Sequence, residues 1–598
     1  MLLFAVAPMS AATYVGASAC AKCHVSEYRQ WGGSRHSKMV QPATPGSVKG
    51  DFARGKVELR GSPYSFRERD GAFYITETYL TGKPQEHRVE YTLGNRRIQH
   101  YLTTLADGRV IVLPPSWDIQ RKQWFHNLDI DDPEEEPGVQ VQVWNKSCYS
   151  CHVSQQQKNF DLDKSAYHSA WLDFGTNCER CHGPGSDHVA HYSATPAPAG
   201  PARDIVLQTR LTAERNTMVC AQCHSFRDIY VNGFAAGDDY YDHFLPVLEY
   251  NLPDSEDPAY WADNRTRRFS NDAFGLWQSE CYLKGKVTCV DCHVQAHETE
   301  IERNPQLRPD ANALCTRCHE SIGKSVAAHT HHAPESAGSS CVECHMPRTV
   351  YSIKAQIRDH SMSIPAPENT LHHGIPNACN LCHEDRDANW SLARMNQWWG
   401  QSSRQKLIRR ADAFAAARKN DPASIAPLLA ILAEPAEGPL VRAVAALGLT
   451  PPAAQRPAAV TDLRRALADP IATVRMAAMV SLVSLGARQL DGEDAARFEA
   501  ARKLFDERAA LNSDDAGQQV AAGRFYFLAA DADRAIAAFR ASLRLDPTMP
   551  SQYFLAGAYA EKGDLPEARK ILETIPPNDS QYEKAQRLLK VILSQMPK

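Results

Sequence analysis

Residues 384–598 contain neither cysteine nor histidine. This part of the chain therefore lacks the thiolate and imidazole ligands on which zinc, iron–sulfur and c-type haem sites depend. Beyond the N-terminus there is no apolar run of about 18 residues, so no internal transmembrane span is expected. Lys and Arg total 66 against 70 Asp and Glu. Without a basic excess, nucleic acid is not an expected partner.

The cysteines are concentrated in one signature, Cys-x-x-Cys-His, which occurs eight times and uses 16 of the 17 cysteines. In chain order, motifs 1 to 8 are Cys20-Cys23-His24, Cys148-Cys151-His152, Cys178-Cys181-His182, Cys220-Cys223-His224, Cys289-Cys292-His293, Cys315-Cys318-His319, Cys341-Cys344-His345 and Cys379-Cys382-His383. This signature attaches c-type haem. Two thiols bond to the porphyrin vinyl groups and the adjoining imidazole reaches the iron as proximal ligand.

Zinc is the alternative, because pairs of Cys-x-x-Cys motifs also form zinc sites. Here every cysteine pair is followed at once by histidine, although histidine makes up only 23 of 598 residues. Eight coincidences of this kind are not credible. The sequence therefore predicts eight covalently bound haem c groups.

Fifteen further histidines could supply the second axial ligand that electron-transfer cytochromes need. Methionine is the main rival ligand, but the chain has only 11 methionines. His297 follows His293 by four residues, so a helix would place both on one face and they would bind different irons. From such local patterns we predict as distal ligands His36, His126, His168, His188, His297, His329, His332 and His360. The reserves are His100, His243, His372 and His373.

The N-terminal part divides by composition. Residues 1–13 have a short apolar run ending in small residues, which resembles the remnant of a secretory signal peptide. Residues 14–400 hold all eight motifs, and their short spacing predicts that the chain wraps successive haems into one octahaem domain. Within it, residues 57–125 alternate apolar and polar side chains around Asp-Gly turns, which predicts a small antiparallel β insertion.

After Gly400 the composition changes to Ala, Leu, Arg and Asp with helical periodicity. Residues 401–490 contain two similar segments 33 residues apart, which indicates HEAT-like helical repeats. Residues 491–598 carry glycines 34 residues apart and small residues in the tetratricopeptide pattern. Together they predict an α-helical solenoid, which would bind a partner on its concave surface or brace the haem domain.

The chain resembles multihaem c-type cytochromes that carry C-terminal tetratricopeptide repeats. The residues that carry the likeness are YVGASACAKCH, CERCHGPGSDHVAH, TCVDCHVQAH, CVECHMPRTVYSIKAQIRDHSMSIP and PNACNLCHEDRDANW. The resemblance implies a mainly α fold: a loop-rich octahaem cytochrome domain with a small antiparallel β insertion, followed by a C-terminal α-helical solenoid. Cys281, the cysteine outside the motifs, is expected to be a small buried apolar residue.

Two classes of function remain open. In the first, bis-His haems conduct electrons, and the solenoid docks redox partner proteins or copies of the chain, including an extracellular filament. In the second, one five-coordinate haem reduces or oxidises a small nitrogen or sulfur compound. Some such reductases use Cys-x-x-Cys-Lys at that haem, and this motif is absent. The first class is favoured, with no catalytic residues. Because c-type haem is attached outside the cytoplasmic membrane, a periplasmic or extracellular location is expected.

Overall fold

The computed structural model describes residues 12–78, 80, 82–130, 141–194, 200–248, 259–269, 271–298, 307–308 and 311–596. Most of the expected signal remnant, residues 1–11, lies outside the described residues. Among the described helices none is both long and apolar enough to cross a membrane.

Two antiparallel sheets form the first part of the fold. Their strands are β1 (Val40–Pro42), β2 (Lys56–Leu59), β3 (Ser62–Arg69), β4 (Ala72–Glu77), β5 (Gln85–Arg88), β6 (Tyr91–Leu93), β7 (Ile98–Thr104), β8 (Val110–Val112), β9 (Pro115–Asp118) and β10 (Gln123–His126). A four-stranded sheet has the order β2-β3-β4-β5, and a six-stranded sheet has the order β1-β6-β7-β9-β10 with β8 paired to β7. The prediction of a small antiparallel insertion is confirmed, and β1 extends it towards the N-terminus.

The insertion is held together by an aromatic core. Phe66 and Trp124 stack with ring centroids 4.1 Å apart, and Phe52 contacts both rings edge-on. Between β3 and β4, Asp70 and Gly71 both have positive φ, as a two-residue hairpin turn requires. The alternating pattern of β4 therefore places Phe73 and other apolar residues in this core.

Residues 12–38 and 141–400 are rich in loops, between which lie short helices and two-stranded ladders. The helices are α1 (Ala17–Cys20), α2 (Val25–Gly33), α3 (Tyr149–His152), α4 (Glu179–His182), α5 (Ser186–Tyr192), α6 (Ala213–Ala221), α7 (Asp272–Gln278), α8 (Glu280–Leu283), α9 (Cys289–Cys292), α10 (Ala311–Thr316), α11 (Glu320–Gly323), α12 (Val326–Thr330), α13 (Cys341–His345), α14 (Pro367–His373) and α15 (Ala388–Trp399). The remaining strands are β11 (Val153–Ser154), β12 (Phe160–Asp161), β13 (Ala166–Tyr167), β14 (Asp173–Phe174), β15 (Arg227–Ile229), β16 (Phe244–Pro246), β17 (Val350–Ser352) and β18 (Ala355–Ile357).

Longer helices follow to the C-terminus. They are α16 (Gln405–Arg418), α17 (Ile425–Ala433), α18 (Pro439–Leu447), α19 (Arg456–Ala466), α20 (Ala472–Ser484), α21 (Gly492–Leu511), α22 (Ala516–Leu528), α23 (Ala532–Leu545), α24 (Gln552–Lys562), α25 (Leu565–Glu573) and α26 (Tyr582–Gln595). Asp515, Asp531 and Asp564 cap α22, α23 and α25 by accepting a backbone N–H bond. A Cβ at Gly523 would lie 2.6 Å from Phe539, so glycine permits the close approach of α22 and α23.

The C-terminal helices pack directly on the motif-bearing part. Leu440 of α18 belongs to the same buried apolar cluster as Tyr240 and Trp277. Arg410 of α16 donates a 3.1 Å hydrogen bond to Gln278. Helices α16 and α18 therefore cover α7, which carries residues of the site described below.

Candidate haem sites

Each motif occupies a single helical turn. In seven motifs the histidine N–H donates to the carbonyl of the first cysteine over 2.9–3.1 Å, and the remaining motif lies within α13. A helical turn brings residues i, i+3 and i+4 to one side of the backbone. Both thiols and the imidazole of a motif can therefore reach the same haem.

Six motif histidines face a second histidine ring. The pairs, with their centroid separations, are His24–His188 (6.3 Å), His224–His36 (6.4 Å), His182–His297 (6.2 Å), His293–His360 (6.2 Å), His345–His329 (6.2 Å) and His383–His332 (6.0 Å). A metal–imidazole bond is about 2 Å long, so two imidazoles on opposite sides of one metal ion have ring centroids about 6 Å apart. The pairs therefore fit the two axial positions of a haem iron.

Hydrogen bonds at Nδ1 orient several of these rings. His182, His188 and His345 donate to backbone carbonyls over 2.8–3.1 Å, at Val206, Arg203 and Ser363 respectively. A ligating histidine usually donates its second ring N–H in this way, which fixes the tautomer and leaves the other nitrogen for the metal. This donor pattern is a second, chemical indication that the pairs suit iron ligation.

His100 lies near the histidine of motif 2. Its pKa is lowered to about 4, first by burial and then by the charge of His152. His100 Nδ1 also forms a 2.7 Å hydrogen bond with Ser116 Oγ. His100 was only a reserve because it belongs to strand β7 rather than to a segment next to a motif. Its one distinguishing signal, a histidine at a buried position of an apolar strand, is weak by itself.

Two predicted distal ligands lie elsewhere. His126 is buried on β10, and its Nδ1 accepts a 3.2 Å hydrogen bond from Leu128 N–H, whereas a ligating imidazole usually donates there. His168 is exposed, and its backbone pairs with that of Asn159. Neither belongs to the facing pairs described above. His100 is also outside those pairs, but the charge of His152 acts on it, which places it near motif 2.

The other reserves have acidic neighbours. His243 lies 3.5 Å from Asp238. His373 Nε2 donates a 2.8 Å hydrogen bond to Asp412, and the ligand atoms of His372, His373 and Asp412 lie within 4.8 Å of one another. None of these three histidines is among those that face a motif histidine.

His319 of motif 6 differs from the other motif histidines. It is exposed at the start of α11, and within the described residues no ring faces it. Burial lowers the pKa of His329 and His345 most, and the charges of another histidine and then of His319 lower both further. His319 therefore lies close to the pair of motif 7. His331, which follows α12, instead stacks on Trp398 at 4.2 Å.

Contacts between cysteines give the spatial order of the motifs. Hydrogen bonds with Cys20, Cys151 and Cys289 raise the pKa values of Cys178, Cys223 and Cys220 respectively. Burial, followed by a neighbouring cysteine charge, raises those of three more thiols: Cys181 (from Cys220), Cys315 (from Cys341, then Cys292) and Cys344 (from Cys379). Motifs 1, 3, 4, 5, 6, 7 and 8 therefore adjoin in that order, with motif 2 beside motif 4.

Cys281 lies in the interval between motifs 5 and 6. It is half-buried on α8, and burial followed by the charge of Cys318 raises its pKa. Cys292 and Cys315 are also close enough for Cys281 to raise their pKa values. Cys281 thus adjoins the cysteines of two motifs.

Asp272 also belongs to two sites. Its Oδ2 accepts a 3.3 Å hydrogen bond from Nδ1 of His224, and its Oδ1 lies 3.2 Å from Nδ1 of His360. The pKa of Asp272 is lowered to about 2: burial raises it, but the hydrogen bond from His224 and the charges of His360, His224 and His293 outweigh burial. No sequence motif indicated this residue.

Known proteins match two parts of the chain. Residues 19–58 and 119–183, which include motifs 1 to 3, match the family described as cytochrome c554 and c-prime. Residues 526–592 match the tetratricopeptide repeat. No curated protein matches the chain. Among solved structures, that of the outer cell wall cytochrome OcwA is similar with 18% identity and a TM-score of 0.44, over 83% of this chain and 99% of that one.

The family match covers the residues that carry the first three Cys-x-x-Cys-His turns, and the repeat match covers helices α23 to α25 in full. Covalently bound haem c is the cofactor that these turns hold, and it supplies a one-electron couple. The eight motifs and these two matches therefore support a multihaem, electron-transfer cytochrome of the c type with a C-terminal tetratricopeptide repeat.

Proposed function

We propose that the chain is an octahaem electron conduit, and the six facing histidine pairs carry this proposal. A bis-His iron has no vacant position for substrate and changes little in geometry between oxidation states. The sixteen motif cysteines hold eight haems in this proposal. The motif histidines are their proximal ligands, and the distal ligands include His36, His188, His297, His329, His332 and His360.

For motif 2 we propose His100 as distal ligand, in place of His126 and His168. The charge of His152 acts on His100, and the hydrogen bond with Ser116 restrains its Nδ1. This choice gives seven of the eight haems two histidine ligands from the same chain. The adjoining motifs then support a continuous route for electrons through motifs 1, 3, 4, 5, 6, 7 and 8, with a branch at motif 4.

The C-terminal helices are proposed to dock a redox partner protein or another copy of the chain, as in a filament. The tetratricopeptide match supports this role, because such repeats form concave protein-binding surfaces. In this proposal residues 401–490 are HEAT-like repeats, residues 491–598 are tetratricopeptide-type repeats, and both form one solenoid. The proposed location is periplasmic or extracellular, where c-type haem is attached.

A second candidate function is favoured by one observation, the lack of a facing ring at His319 among the described residues. A five-coordinate haem at motif 6 would be the place for reduction or oxidation of a small nitrogen or sulfur compound. In the conduit the same position takes a histidine from another protein molecule. Motif 6 lies between motifs 5 and 7, so an electron would reach it from either side.

Low-temperature EPR of the oxidised protein, with nitrite, hydroxylamine or imidazole added, separates the two candidates. The conduit predicts one high-spin haem in the isolated monomer, which becomes low-spin with imidazole or on assembly and gives no turnover of nitrite or hydroxylamine. The variant His319→Met identifies the site, because it should change this signal alone. A high-spin haem that persists after assembly and turns over either compound contradicts the conduit.

A further inference from the structure

Asp272 lies between histidines of two different haem sites. His224 is the motif histidine of motif 4, and His360 faces His293 of motif 5. Each carboxylate oxygen approaches one of them: Oδ2 accepts from His224 over 3.3 Å, and Oδ1 lies 3.2 Å from His360 Nδ1. One negative charge therefore adjoins a ligand of each of two consecutive haems.

The backbone holds Asp272 in this position from both sides. Asp272 begins α7, and the next residue, Ala273, donates its N–H to the carbonyl of His224 over 3.1 Å. On the other side a Cβ at Gly275 would lie 3.0 Å from the carbonyl carbon and Cβ of His360, so glycine allows α7 to approach that segment. The contacts of the carboxylate thus follow from how α7 is anchored.

The carboxylate of Asp272 is a charged acceptor for His224, and it lies beside His360, whose Nδ1 is also 3.1 Å from the carbonyl of Arg358 and can share its proton between the two. Four other facing histidines have neutral acceptors. His182, His188 and His345 donate Nδ1–H to neutral backbone carbonyls, as does His332 to Thr330 O over 2.6 Å. A carboxylate draws the shared proton more strongly than a carbonyl and so makes the imidazole a more basic ligand. A more basic, more negative ligand stabilises ferric over ferrous iron.

We propose that Asp272 is a shared positioning residue that lowers the reduction potentials of the two haems at motifs 4 and 5. This inference rests on the proposed function, because it requires haem at both motifs with His224 and His360 as iron ligands. Hydrogen-bond partners of metal ligands typically change affinity about tenfold or more. We expect about a tenfold effect on each one-electron reduction equilibrium, which corresponds to about 59 mV.

The low-potential pair would have a defined place in the conduit. Motif 4 is the branch point of the series: Cys223 Sγ lies 4.0 Å from the carbonyl of Cys151 in motif 2, Gln222 donates a 2.8 Å hydrogen bond to Arg180 O in motif 3, and Cys220 adjoins Cys289 of motif 5. Electrons would reside mainly on the haems at either side, because the lower reduction potentials at motifs 4 and 5 make transfer onto this pair energetically uphill. Because one residue lowers both reduction potentials, the equilibrium constant for electron exchange between the haems at motifs 4 and 5 stays close to one.

The test is a spectroelectrochemical titration of the full haem-loaded protein carrying Asp272→Asn, with EPR of the same sample. Asparagine keeps the shape but removes the charge, so two of the eight midpoint potentials should rise by about 59 mV each. The low-field EPR features of two low-spin haems should shift with them. Asp272→Glu, which retains the charge, should keep both potentials low. The matched control is Asp412→Asn, because Asp412 binds His373, which faces no motif histidine.

The outcomes separate this inference from the proposed function. Unchanged potentials in Asp272→Asn with all haems low-spin overturn the role of Asp272 alone. High-spin iron at motifs 4 and 5 in the unaltered protein contradicts the proposed ligand pairs as well. If Asp272→Asn does not accumulate with its haems, Gly275→Ala, which pushes His360 away from α7, should raise the potential of one haem. Equal rises in Asp272→Asn and Asp272→Glu indicate a packing role and overturn the proposal.

Discussion

The hydroxyl group of Tyr167 donates a 2.9 Å hydrogen bond to Asp514 Oδ2, across 347 residues of sequence. Lys158 Nζ forms an ion pair of 2.7 Å with the other oxygen of the same carboxylate, and both charged side chains are almost fully buried. The loop after α21 is thereby joined to the hairpin of β12 and β13, which lies between motifs 2 and 3. The C-terminal helices therefore also stabilise the haem-bearing part, whatever partner they bind.

Replacing Asp514 by alanine is expected to lower the free energy of unfolding by about 3–5 kcal/mol, because Lys158 would keep a buried charge without its partner. Chemical unfolding followed by circular dichroism measures the change. Asp533→Ala is the matched control, since the Asp533–Lys562 pair is solvent-exposed and should contribute little. A loss no larger than that of the control would show that Asp514 does not join the two parts.

Replacing His297 by alanine should convert one haem from low-spin to high-spin, because His182 would lose the ring that faces it at 6.2 Å. The visible spectrum and EPR spin quantitation report this change directly. His191→Ala provides the control, since His191 lies beside Asp204 and Tyr192 and faces no motif histidine. If His297→Ala leaves every haem low-spin, the pairing of His297 with motif 3 is wrong.

The assignment of motif 2 is tested by three single alanine variants. We expect His100→Ala to create one high-spin haem, whereas His126→Ala and His168→Ala should retain the EPR spectrum of the unaltered protein. The reason is that the charge of His152 acts on His100, whereas Nδ1 of His126 accepts a hydrogen bond and His168 is exposed. A high-spin haem in either of the latter variants would restore the sequence-based choice.

Gly523→Val should destabilise the tetratricopeptide helices, because a Cβ there would lie within 3 Å of the buried ring of Phe539. Overpacking of this kind costs about 1–3 kcal/mol. Gly557→Ala is the comparison, since its Cβ would contact Phe527 at 3.4 Å, an acceptable separation. Thermal unfolding measures both variants. Equal Tm values would show that α22 and α23 can move apart without loss of stability.

Local sequence predicted what depends on local geometry. The Cys-x-x-Cys-His spacing fixes three haem-reaching groups on one helical turn, so each motif could be recognised alone. The alternating pattern and the Asp70-Gly71 turn likewise predicted the β insertion. Strand β1 and ladders such as β11–β14 were not predicted, because a strand of two or three residues is too short to show a periodic pattern.

Long-range pairing could not be predicted in the same way. His36 faces His224 across 188 positions of the sequence, and proximity to motif 1 gave no reason to pair it with motif 4. His100, which we propose for motif 2, was only a reserve because a strand position shows no signature of ligation. Asp272 was missed because its role depends on two segments that meet only in the fold.

Spin quantitation by low-temperature EPR, together with intact mass of the same oxidised monomer, tests the account most directly. The conduit predicts a mass increase equal to eight haem groups. It also predicts seven low-spin irons and one high-spin iron, which becomes low-spin on assembly or when imidazole is added. Bound zinc, fewer than seven low-spin irons, or a high-spin haem that persists in the assembled protein and turns over nitrite or hydroxylamine would contradict it.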